Sequence, residues 1–235
     1  MKKIIFILTL TLIFTCNSED AGDCFQTSGS IIQQEITVNT FSKILVNRDV
    51  ELILTDGLEF EVIIETGENL LNDVGVLVVG DVLQLTDNNT CNYVRDFGIT
   101  KIYVKAPNIT EIRSSTQYDV SSDGILNYNS LHLISEDFNA PDSFTVGDFS
   151  LDVNLTTLRI TTNNISSFYI TGQTENLRIG FFAGAGRFEG RDLIAQNVDV
   201  FHRGSNDMIV NPQQSLTGEL RSTGDLISVN QPLNC

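Results

Sequence analysis

The sequence of 235 residues has no Trp, four Pro, two Met, two His and five Lys. Scarce Pro, with no Pro-rich stretch, argues against a flexible boundary between two domains. Nine Arg and five Lys stand against 30 Asp and Glu, giving a formal net charge of −16. That balance excludes a broad phosphate-binding surface, so no nucleic-acid partner is expected. There is no CxxC, and His132 and His202 lie far in sequence from every Cys. Neither a metal nor a cofactor is therefore expected, and both histidines are expected at the surface or rim. No GxSxG or HExxH occurs. Gly184-Ala185-Gly186-Arg187-Phe188-Glu189-Gly190 holds a GxG, but its third Gly comes one place late and no predicted helix follows. No helical period is sustained after residue 23, which excludes a helical body.

What is present begins with an address. Lys2 and Lys3 precede an apolar run, Ile4–Phe14, too short to span a bilayer. It ends in Ile13-Phe14-Thr15-Cys16, which resembles a bacterial lipoprotein signal with Cys16 as the lipidated first residue. Phe14 stands where a small residue is usual, and the alternative is an ordinary secretory leader. The expected organisation is a signal peptide over 1–15, an acidic tether over 16–23 and one domain over 24–235. The expected location is the cell envelope, as an outer-membrane lipoprotein facing either the periplasm or the outside. The acidic chain would be repelled by anionic membranes, so attachment would come from the lipid.

If Cys16 carries lipid, Cys24, Cys91 and Cys235 remain, with three possible pairings. In an oxidising compartment one disulfide and one free thiol is the simplest outcome. Cys24–Cys91 is the expected pair, because both flank the first strand-rich segment.

Short apolar runs fill the first half: Ile36–Phe41, Ile44–Val46, Val50–Thr55, Phe60–Glu65, Gly75–Val79, Val82–Thr86 and Ile102–Lys105. Each is rich in β-branched or large apolar residues, and turn signals such as Asp56-Gly57 and Gly80-Asp81 separate them. The second half repeats. Leu158-Arg159-Ile160, Leu177-Arg178-Ile179 and Val198-Asp199-Val200 recur at close to 20 residues. Phe168-Tyr169-Ile170, Phe188-Glu189-Gly190 and Met208-Ile209-Val210 form an interleaved series, and Leu131-His132-Leu133 and Leu151-Asp152-Val153 extend the pattern upstream. A three-residue strand cannot bury its own apolar face, so stacked rungs are needed. The expected fold is all-β: a right-handed parallel β-helix (a β-solenoid) preceded by a strand-rich, more hairpin-like part. A β-sandwich is the competing architecture. Arg159, Arg178 and Asp199 are expected to point outward. Corner positions such as Asn163, Asn164, Gly172, Asn176, Gly184, Asn197, Asn206, Asn211 and Gly218 are expected to supply positive φ.

The chain resembles the adhesin family that carries the head GIN domain, common among Gram-negative envelope lipoproteins. The likeness rests on Phe41-Ser42-Lys43-Ile44-Leu45-Val46, on Phe60–Leu71, on Ile102–Ile112 with its Pro107, and on the closing Ser222–Pro232. A Ser-Gly-Ser-Gly corner usual in that family is eroded here to Ser121-Ser122-Asp123-Gly124 and Gly184-Ala185-Gly186. The resemblance implies the parallel β-helix and no catalytic residues.

Candidate chemistry is sparse. Glu136, Asp137, Asp142, Asp148 and Asp152 could flank a glycosidic bond or hold Ca²⁺, but solvated carboxylates are the ordinary case in an acidic protein. Tyr93, Tyr118, Tyr128 and Tyr169 are the expected surface-contact aromatics. The leading expectation is a lipid-anchored binding module without catalysis, contacting a glycan or protein on a surface. The alternatives are a polysaccharide-acting lyase or hydrolase, and a structural or signalling envelope accessory.

Overall fold

The computed structural model describes residues 23–89 and 91–234. The leader, the tether through Gly22, Cys16 and Cys235 lie outside the described residues. Fifteen strands make one continuous sheet, and among the described residues there is no α-helix. In chain order they are β1 (Ile31–Ile36), β2 (Lys43–Val46), β3 (Glu51–Asp56), β4 (Glu61–Gly67), β5 (Val74–Val79), β6 (Val82–Asp87), β7 (Lys101–Ala106) and β8 (Glu111–Ser114). The remainder are β9 (Val120–Leu126), β10 (Ser130–Ser135), β11 (Phe149–Thr162), β12 (Phe168–Phe181), β13 (Phe188–His202), β14 (Met208–Leu220) and β15 (Leu226–Ser228).

Antiparallel pairing is confined to the first half. β4 pairs with β1 and β7, and β5 pairs with β6 through a hairpin turned at Gly80-Asp81. The other ladders are parallel. Phe149, Phe168, Phe188, Met208 and Leu226 fall in one register line, and Leu158, Leu177, Val198 and Leu216 in another. The spacing of close to 20 residues is therefore the step from one strand to its hydrogen-bonded neighbour. Upstream the step is longer: Leu131 pairs with Leu158, not Leu151, because a loop intervenes between β10 and β11.

The paired triplets of each repeat belong to one bent strand rather than two separate ones. In β11, Phe149, Leu151, Val153 and Leu155 are buried, and so are Leu158, Ile160 and Thr162. Parity switches at Thr156-Thr157, so the chain turns while keeping its apolar residues inward. Phe149 stacks on Phe168 with ring centroids 4.8 Å apart, and Phe168 meets Phe181 at 5.9 Å. These rings belong to one core running from Phe41 to Val210.

Three sequence expectations are corrected. The first strand is Ile31–Ile36, not Ile36–Phe41; it is an edge strand with mostly exposed side chains, so alternation does not mark it. The corner asparagines do not take positive φ: among the described residues only Asp49 and Asp142 do so without being Gly. Asn176 and Asn197 instead link neighbouring strands, Asn197 donating to the Asn176 side-chain oxygen and Asn176 to the Thr156 carbonyl. Gly172 keeps its expected role, with φ of 102°, and any Cβ there would overlap the Val153 carbonyl oxygen. His202 is buried, not at the rim. Its Nδ1 accepts from the Gly204 N–H, its Nε2 lies 2.8 Å from the Asn206 carbonyl, and its ring meets Phe181 edge-on.

The Cys24–Cys91 disulfide is present and joins the amino-terminal turn to the segment after β6. Beside it the Tyr93 N–H donates to the Cys24 carbonyl, and the Phe25 and Tyr93 rings lie 5.7 Å apart.

Candidate functional site

Alternation along β11–β14 puts every second residue on the outer face, and parallel register aligns these residues between strands. One outward line runs His132, Arg159, Arg178, Asp199, Thr217; the next runs Thr161, Gly180, Phe201, Glu219, with the buried Ile134 in register at its β10 end. Just past the strand ends come Asn163, Phe182, Arg203 and Arg221, whose backbones continue the ladder: the Phe182 N–H donates to Thr162, and the Arg203 N–H to Phe181.

Gly180 leaves a gap in the middle of this face. A Cβ there would lie 2.7 Å from Cε2 of Phe182, so the missing side chain makes room for that ring. Phe182 also packs on Phe201, with centroids 5.2 Å apart. Two depressions meet at this ring. One, of about 590 Å³, has Arg159, Arg178, Asp199 and Glu219 in its wall; the other, of about 400 Å³, has Phe138, Asn139, Asn163 and Arg203. Arg159, Thr161 and Phe182 line both, so they form one trough.

The guanidiniums here are unusual for so acidic a chain. Arg113 is paired with Glu136 at 2.9 Å, Arg187 with Glu189 and Asp207, and Arg221 with Glu219. Arg159, Arg178 and Arg203 are exposed, and among the described residues they have no ion-pair partner. Like charges on adjacent strands repel, so their gathering opposes folding slightly and favours an anion outside. Asp199 and Glu219 give the far end of the trough the opposite sign.

Behind the trough, Glu136 anchors the loop that carries Phe138. Its carboxylate is buried and accepts from Arg113, from the Asn139 N–H at 3.0 Å and from the Asn139 amide at 3.2 Å. Burial pushes this carboxyl up, but the hydrogen bonds from Asn139 and Arg113 outweigh it and hold the pKa below its ordinary value. His132 sits at the trough's edge, with Nε2 2.9 Å from the Thr161 hydroxyl. Burial, and secondarily the charges of Arg159 and Arg113, push its pKa down to about 4, so it is neutral at pH 7.

The other carboxylates singled out by sequence do not converge with Glu136. Asp137 accepts from the Asn163 amide, and Asp148 accepts from the Ser167 N–H at 2.7 Å. Asp142 lines a separate depression with Arg48, Asp49 and Asp87. The Asp152 N–H donates to Ser122. Among the described residues no three His, Cys, Asp or Glu side chains gather to hold a metal ion. Gly184-Ala185-Gly186 is a tight corner, where the backbone N–H groups of Ala185 and Gly186 both donate to the Asn164 carbonyl.

The tyrosines divide. Tyr93 is well exposed and Tyr169 is 43% exposed, while Tyr118 is half-buried. Tyr128 is corrected: it is a core residue, and its hydroxyl donates to the Ala106 carbonyl, which satisfies its one polar atom inside. None of the four lines the arginine trough. Its aromatics are Phe138, Phe182 and Phe201, none of them among the aromatics singled out from the sequence. The available signal was the repeated Leu-Arg-Ile of Leu158–Ile160 and Leu177–Ile179, which puts two arginines side by side once the register is known.

A family model described as "Putative auto-transporter adhesin, head GIN domain" matches residues 40–232. The chain belongs to this family. Its span includes the whole trough and every strand except β1. Among solved structures, a "putative adhesin" from Bacteroides fragilis NCTC 9343 is similar with a TM-score of 0.73 and 17% identity, covering 86% of this chain and 99% of that one. A "putative adhesin" from Parabacteroides distasonis ATCC 8503 gives 0.56 at 11% identity, covering 86% and 99%. A "Putative lipid binding protein" from the same strain gives 0.52 at 13%, covering 88% and 96%. At these identities the likeness is one of fold. No curated protein matches the chain.

Proposed function

We propose that this head GIN protein is a lipid-anchored module of the cell envelope that binds a surface ligand and catalyses nothing. The scaffold on this reading is a right-handed parallel β-helix, each turn contributing one bent strand. Parallel pairing at a nearly constant sequence step supports it. In such a scaffold the inward residues carry stability, while outward residues are free to vary. The observation that carries the binding reading is the trough centred on Phe182, with three unpaired arginines on an otherwise acidic chain. Family membership supports an adhesin role at the surface or envelope. The leader and Cys16 support the anchor, with attachment through lipid rather than charge.

The test applies the purified domain to glycan and protein arrays and to envelope fractions, beside an R159Q/R178Q variant. Saturable binding that the variant loses, with no product released, is the expected result. Absence of binding throughout, or turnover of a bound polymer, contradicts the reading. Mass spectrometry of the cell-derived protein should find lipid on Cys16; an amino terminus created elsewhere, without lipid, contradicts the anchor.

A further inference from the structure

We propose that the trough holds a carboxylated polysaccharide, a chain of uronic-acid type, with its acid groups on Arg159, Arg178 and Arg203 and a sugar face on Phe182. The inference rests on the binding reading above and names its ligand class.

Four features favour this ligand. First, three exposed arginines gather at one end of the trough on a strongly acidic chain, and none has an ion-pair partner among the described residues, although Asp199 stands in register beside Arg178. A polyanion with very closely spaced charges would be repelled by the rest of the surface, whereas a sugar chain carries its charges farther apart. Second, a guanidinium presents a planar fork that a carboxylate meets with two parallel hydrogen bonds. Third, the spacing fits. Arg159 and Arg178 are register partners on adjacent strands, about 4.8 Å apart along the ladder, and one sugar ring of an extended chain advances by a similar length. Fourth, Phe182 is 42% exposed and lines a depression together with Arg203, Thr161 and Asn163. The negative face of the ring attracts the weakly positive C–H groups of a pyranose, while the neighbouring amide and hydroxyl suit its hydroxyls.

The far end of the trough completes the match. Asp199 and Glu219 repel acid groups but accept hydrogen bonds from sugar hydroxyls. A polyglutamate chain has carboxylates but no hydroxyls for that end and no flat C–H face for Phe182. A neutral glucan has the hydroxyls and nothing for the arginines.

The experiment titrates the purified domain with polygalacturonate, dextran sulfate, polyglutamate and neutral dextran, in low and high salt. The variants are R178Q/R203Q and F182A. R191Q is the control, since Arg191 is an exposed arginine outside the trough. The expected result is salt-sensitive binding of polygalacturonate, weakened at least about tenfold by R178Q/R203Q and by F182A but unchanged by R191Q. Thermal unfolding of each variant establishes that it is folded. Equal binding of polyglutamate overturns the sugar, preference for dextran sulfate overturns the carboxylate, and equal loss in R191Q overturns the site. If no acidic polymer binds while arginine-dependent attachment to envelope fractions persists, this inference fails and the binding reading stands. If that attachment is absent too, both fail.

Discussion

Phe182 lies over Gly180, two residues before it on the same chain, in the space a Cβ would take. This contact fixes where the trough divides and which ring faces outward. Gly180 has no positive φ, so the conformation itself admits a side chain. G180V should therefore leave stability within about 1 kcal/mol, since a β-branched residue suits a strand. It should still displace the Phe182 ring and weaken binding as F182A does. Thermal unfolding and ligand titration of the same variant check the two halves separately. Loss of the fold would show that Gly180 serves backbone packing instead.

His132 gives the fold an acid-sensitive element. Its folded pKa of about 4 lies below the ordinary histidine value of about 6.5. In the window between these values the unfolded chain binds more protons than the folded one, so stability rises with pH there. Its contribution is complete above about pH 6.5 and is lost as pH falls toward 4. The neighbouring groups are Glu111 and Arg159 in register and Arg113 nearby, and the two arginine charges oppose protonation. Denaturant titrations at pH 7 and pH 5 should show this drop, and H132Q should reduce it. An identical drop in H132Q would assign it to other groups.

Arg113 and Glu136 form a pair whose carboxylate is buried. R113A removes the ion-pair partner while Asn139 still donates to the carboxylate, so it should destabilise by about 1–3 kcal/mol. E136Q keeps the shape and part of the hydrogen bonding, so its loss should be smaller. Because the Glu136 pKa is lowered, its contribution is present at neutral pH and is lost as pH falls through the folded pKa. Urea unfolding of both variants checks the order. A milder effect for R113A would mean that Asn139 alone satisfies the carboxylate.

The disulfide closes a long loop, because its partners are 67 residues apart in sequence. The chain-entropy account gives it about 4 kcal/mol, an upper figure given its dependence on the denatured state. C24S/C91S should lower stability by about 2–4 kcal/mol while leaving the trough's binding intact. Loss of binding without loss of stability would place the ligand near Tyr93 rather than Phe182.

How much of this was legible depended on whether a residue's role was local. Leu158, Leu177 and Val198 announce their shared register because each repeat needs an apolar residue at the same point of the core. Gly80-Asp81 announces its hairpin because the turn demands Gly at positive φ. The partner of Cys24 was legible from the placing of two Cys around the first strands. Tyr128 was misread because burial of its polar ring depends on a distant acceptor, the Ala106 carbonyl; His202 has a local acceptor in Asn206, but its burial against Phe181 of the neighbouring strand is not written in its own segment. The trough was hidden for the same reason. Arg159 and Arg178 read correctly as outward residues, but their adjacency exists only through the ladder. Phe182 gave no signal of its own, because the place of its ring depends on the missing side chain at Gly180.

The account stands or falls on where a ligand touches the protein. Backbone amide shifts followed by NMR during titration with an oligogalacturonate measure this residue by residue. The account predicts changes concentrated at the ends of β11, β12 and β13, around Arg159, Arg178, Phe182 and Arg203, with the Cys24–Cys91 region silent. Changes centred on Tyr93 or Tyr169, or none at saturating ligand, would contradict it.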